Sequence, residues 1–267
     1  MAVAALNATY WLIPLLLAGL CGMTCPLLGT LLVLQRRVLA TNLMAYAVLP
    51  GVVIGQFLGL PPLLAGSASA IGAVVLVEAV IAARHDGDGA AEAVINTVLA
   101  ACLGLGVLLV QALQRPVDLE ALLFGDLLVA GPEDLLRMGL ALALVLLAMG
   151  WGFQRWQWLG LDPEGAEQLE IPVRGLRLVM AALTAVVVVS ATAAVGLALV
   201  MGLICAPSLA ALAGATCLAQ ALRRAALIGL AVSVSSCALA MRLNLPPGPL
   251  MACCCLPLLL SRPRLPK

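Results

Sequence analysis

Long apolar runs, rather than alternating ones, set the pattern of this chain. Short polar segments carrying Arg, Asp, Pro or Gly separate them. A helix needs about 20 mainly apolar residues to cross a bilayer. By that measure nine spans are predicted, at 12–34, 43–60, 63–83, 94–113, 136–153, 176–193, 195–214, 225–242 and 247–261, with eight or ten also compatible. The sixth and seventh come from one uncharged run, Leu178 to Leu222, which is too long to cross once. A break is expected between Thr192 and Gly196. The pattern therefore predicts an all-α polytopic membrane protein, with residues 1–267 forming a single membrane domain. The first run is too long for a cleaved signal and lacks a basic leader, so it is expected to stay as a span.

Composition strengthens this reading. Of 267 residues, 64% are hydrophobic and only 10% charged, against about 25% charged in soluble domains. No water-soluble core could hide so much apolar surface, so lipid must be the solvent for most of the chain. A net charge of +1 argues against nucleic acid as a partner. All nine Cys lie in apolar surroundings, where they act as small packing residues rather than disulfide partners.

Charge also orients the chain. With nine spans and the N-terminus outside, the inner side holds Arg36, Arg37, Arg84, Arg155, Arg174, Arg177, Arg223, Arg224, Arg262, Arg264 and Lys267. The outer side holds only Arg115, Arg137 and Arg242. Eleven against three satisfies the positive-inside rule. Three polar stretches stand out. An outer one, Arg115 to Arg137, carries Asp118, Glu120, Asp126, Glu133 and Asp134. Leu119, Leu122, Leu123 and Leu127 recur there at helical spacing, which predicts a short helix lying at the interface. An inner one, Gln154 to Arg177, centres on Asp162-Pro163-Glu164, a helix start with Asp as cap and Pro at the first position. Another inner one, Thr216 to Arg224, ends in a basic pair.

Candidate chemistry is sparse. No catalytic constellation and no phosphate-binding loop with its Lys is present, so the chain is not expected to be an enzyme or to hydrolyse ATP by itself, and no cofactor is implied. His85, the sole His, sits in a polar turn and reads as a solvated residue. Gly104 and Gly106 lie within a span and read as packing positions. Glu78 is the one acidic residue well inside a predicted span, which marks it either as functional or as reaching headgroup level. Asn42 and Tyr46 are four apart at the inner start of the second span and share a helix face. Each offers an oxygen to a passing cation, or a hydrogen bond to a neighbouring helix. Cys21 and Cys25 repeat that spacing on the first span, as soft ligands or as packing.

Four stretches, in order, carry a family resemblance: Pro26 to Gly55 (PLLGTLLVLQRRVLATNLMAYAVLPGVVIG), Leu119 to Leu135, Leu161 to Ile171 (LDPEGAEQLEI) and Val195 to Leu212 (VGLALVMGLICAPSLAAL). Together they resemble the ABC-3 family, the integral membrane permeases of zinc, manganese and iron ABC uptake transporters. The resemblance implies a type II importer permease in the bacterial inner membrane, paired as a homodimer. It also implies a separate ATPase subunit on the cytoplasmic loops and an external solute-binding protein. ATPase coupling would fall to Arg223 and Arg224, with Asp162, Pro163, Glu164 and Ala166 as a second contact. The acidic outer stretch would face the binding protein. Asn42 and Tyr46 fall where the family places an Asp and a His thought to touch the metal in transit, and Glu170 falls where it usually has a Gly. An amide and a phenol hold a divalent ion more weakly than a carboxylate and an imidazole. A weak site suited to release, compensation by Cys21, Cys25 or Met44, and a changed cargo are three readings of that departure. The resemblance leaves the metal itself open. A permease for another small ligand such as a metal chelate, and a secondary carrier working without an ATPase, are the alternatives.

Overall fold

The computed structural model describes residues 2–35, 37–84, 88–112, 125, 127, 130–161, 165, 173–243 and 245–260. Nine helices lie among the described residues: α1 (Ala2–Leu34), α2 (Val38–Leu58), α3 (Pro62–Arg84), α4 (Asp88–Ala112), α5 (Pro132–Leu161), α6 (Val173–Val195), α7 (Leu197–Leu212), α8 (Leu218–Leu243) and α9 (Pro247–Leu260). Seven are long and apolar enough to cross a membrane, and α7 and α9 are shorter apolar helices. At 1.5 Å per residue, the 16 residues of α7 reach only about 24 Å, less than the ~30 Å hydrocarbon core.

Two helices organise the bundle. The first, α1, packs on α8, α7 and α5, and α2 packs on α3 and α4, while α6 lies against both groups. Small residues make these approaches close. A methyl group at Gly229 of α8 would collide with the Gly22 carbonyl of α1, and one at Gly29 of α1 would collide with the Ile204 carbonyl of α7. Such backbone contact between helices is the packing that lipid-embedded bundles favour, since lipid offers no hydrophobic drive to bring them together. Some polar side chains inside the bundle turn back on the chain: Thr30 donates to the Pro26 carbonyl at 2.7 Å, and Ser208 reaches the same oxygen from α7 at 3.0 Å.

Helix ends follow local chemistry. Helix α2 stops at Gly59, whose φ of 69° is a left-handed conformation that Gly adopts without steric cost. The uncharged run from Leu178 to Leu222 breaks within the expected window, at Gly196, with φ 89°. Other boundaries differ from the hydropathy reading. Helix α8 starts at Leu218, so Arg223 and Arg224 sit in its second turn rather than in a loop. Thr216 donates its backbone N–H and its hydroxyl to Gln220 at 3.0 and 2.8 Å, which anchors that early start. Helix α5 runs on past its apolar stretch and bends at Gly152, and the Trp156 indole N–H donates across the bend to the Ala148 carbonyl at 2.9 Å.

Most of the expected outer interfacial helix lies outside the described residues, as do Asp118, Glu120 and Asp126. Its described part departs from the expectation. Leu127 is buried in the core, and Gly125, at φ 69°, presses against the Val195–Gly196 backbone. The stretch is therefore tucked into the protein at this point rather than resting on lipid.

Candidate functional site

Of the seven helices long enough to span, α2 is the most buried after α1. Gly51 and Gly55 bring it against Ser69 and Ala65 of α3, and Gly106 brings α4 against Leu49. Ser69 fixes the register by donating to the Ala47 carbonyl at 2.7 Å. This leaves Asn42 and Tyr46 half-buried near the start of the helix, one turn apart. Neither side chain makes a hydrogen bond among the described residues, so the bonding to neighbouring helices that the sequence offered as the simpler account is not formed here. Four residues on, Pro50 interrupts the ladder. It has no N–H to give the Tyr46 carbonyl, which therefore loses its usual partner within the helix.

The three candidate compensating ligands are packed away. Cys21, Cys25 and Met44 are all at most 2% exposed and belong to the hydrophobic core. Among the described residues, no group of three or more His, Cys, Asp or Glu side chains could hold a metal. Asn42 and Tyr46 themselves are neutral oxygen donors, which bind cations weakly and release them readily.

Glu78 resolves towards a structural role. Its carboxylate accepts from the Arg37 guanidinium at 2.9 Å, tying the α1–α2 turn to α3 across 41 residues. Arg37 had counted only as one inner charge. The sequence signal for the pairing was depth: Glu78 lies six residues before Arg84, at the level of the Arg36-Arg37 turn.

The coupling candidates divide. Arg223 and Arg224 are exposed side by side on α8, and Arg224 also donates to the Gly214 carbonyl, closing the α7–α8 turn. Asp162, Pro163, Glu164 and Ala166 lie outside the described residues. Of the outer acids, Glu133 and Asp134 form the first turn of α5, where negative charge complements the helix dipole. Arg137 pairs with both, at 3.2 and 3.5 Å, and Asp134 accepts the Gly131 N–H at 3.1 Å. These two carboxylates therefore cap and brace a helix before they can serve any partner.

Comparison with known proteins agrees with this architecture. The profile of the ABC 3 transport family matches residues 9–262. The chain is 28% identical over 200 residues to the high-affinity zinc uptake system membrane protein ZnuB of Haemophilus influenzae, covering 74% of this chain and 75% of that one. It is 28% identical over 195 residues to the manganese transport system membrane protein MntC of Halalkalibacterium halodurans, covering 71% and 64%. Its fold superposes on PsaBC from Streptococcus pneumoniae, solved in complex with Fab, with a TM-score of 0.89 over 100% of this chain and 97% of that one, at 21% identity. With a family match over nearly its whole length and a matching fold, the chain belongs to the ABC 3 transport family.

Proposed function

We propose that this protein is the permease subunit of a binding-protein-dependent ABC transporter that imports a divalent metal ion, zinc, manganese or iron, across the inner membrane. The observation that carries the proposal is the family match over residues 9–262, joined to relatives named for zinc and manganese transport. Two copies would enclose one pathway, and a separate ATPase would supply the energy.

The cargo would pass Asn42 and Tyr46. Both are half-buried and uncommitted to hydrogen bonds, and Pro50 adds the released Tyr46 carbonyl. These are neutral oxygens, so the site would hold the ion loosely, as a conducting position requires. Arg223 and Arg224 would seat the ATPase. The acidic outer stretch, including Asp118, Glu120 and Asp126, would attract cations and face the binding protein. Uptake of zinc, manganese and iron by metal-starved cells with and without the gene tests the reading. Loss of uptake for one metal supports it and names the cargo, whereas unchanged uptake of all three contradicts it.

A further inference from the structure

A second site opens where α2, α3 and α4 meet at the end carrying Arg37. Helix α4 packs mainly on α2 and only lightly on α3. The two consecutive helices therefore leave a crevice between them, floored by α2, with a cavity of about 220 Å³. Its lining separates by chemistry. Leu43, Val74, Ile81 and Ile95 supply apolar surface, and Arg37, Glu78 and Glu92 supply charge. The Arg37–Glu78 pair is well exposed, with 34% and 52% of the two side chains accessible. Glu92, one turn into α4, has no hydrogen bond or ion pair among the described residues. Among the described residues the crevice thus offers one guanidinium, two carboxylates and an apolar wall, at the end of the bundle that the Lys/Arg asymmetry places inside.

We infer that this crevice binds an inner-leaflet phospholipid with a primary-amine headgroup. The lipid phosphate faces the Arg37 guanidinium, a charge-assisted contact. The ammonium faces Glu92 and the outer side of Glu78, and its N–H groups supply donors that the carboxylates lack. One acyl chain lies along Ile81 and Ile95, over the buried Leu43 and Val74. An anionic headgroup without an amine matches Arg37 but meets two carboxylates. A trimethylated headgroup carries the charge but no N–H to donate.

The full-length protein, extracted in detergent, is presented with phosphatidylethanolamine, phosphatidylcholine and phosphatidylglycerol of matched chains in competition. Native mass spectrometry counts the bound lipid. The expected result is a preference for phosphatidylethanolamine of about three- to fivefold, the scale of one exposed charge pair. Glu92→Gln should abolish that preference with the melting temperature unchanged, and Glu92→Lys should turn it towards phosphatidylglycerol. Equal retention of the three lipids, preference for phosphatidylglycerol by the native chain, or an undiminished preference in Glu92→Gln would each overturn the assignment.

Discussion

A single methyl group tests the closest contacts of this bundle. Gly22, Gly29 and Gly229 lie where helix backbones touch, and a Cβ at Gly229 has the Gly22 carbonyl in its way rather than a flexible side-chain end. Gly229→Ala should therefore cost about 1–3 kcal/mol through overpacking, read as a lower melting temperature in detergent. Gly104→Ala on α4, where an added methyl meets nothing within 4 Å among the described residues, should leave it unchanged or raise it slightly, since Ala favours the helix. Asn42 and Tyr46 carry the residue-scale test of the pathway. Asn42→Asp with Tyr46→His replaces two neutral oxygens by a carboxylate and an imidazole, so bound metal should rise by tenfold or more while release slows. If neither uptake rate nor bound metal changes, the pair does not line the path. The sequence made these two positions visible through their spacing. Pro50 lies four residues after Tyr46 inside the span expected at 43–60, so the released carbonyl was implicit in the same spacing.

At the scale of elements, hydropathy located the helices and chemistry decided their ends. That the run from Leu178 to Leu222 must break was legible from its length, and the break falls at Gly196, whose conformation suits only Gly. The extension of α8 back to Leu218 escapes a hydropathy reading because Gln220, Arg223 and Arg224 are polar, although Leu218-Ala-Gln-Ala-Leu-Arg-Arg is made of strong helix formers. That extension makes Arg223 and Arg224 a rigid helical pair. Reversing both to Glu should abolish copurification of an ATPase subunit while the permease still folds, whereas full copurification would remove this face from coupling. The outer stretch gives a second case. Leucine spacing suggested an interfacial helix, yet Leu127 is buried and Gly125 rests on the α6–α7 junction. Gly125→Val combines a clash with a left-handed backbone, so a loss of several kcal/mol is expected, read as a fall in melting temperature or in yield.

For the whole molecule, the membrane fold was legible from composition alone, because apolar runs of span length have no other stable solvent. The long-range arrangement was not. That α1 and α2 each gather a separate group of helices depends on which faces carry Gly and Ser and how closely backbones approach. As proposed, ATP hydrolysis by the partner subunit drives a divalent metal through two copies of this chain. The most direct test is metal flux in proteoliposomes holding the permease with its ATPase and binding protein, with ATP on the side of Arg223 and Arg224. Accumulation of zinc, manganese or iron that requires both ATP and the binding protein is expected. Flux of the same metal at the same rate without ATP, or no flux of any of the three, would contradict it.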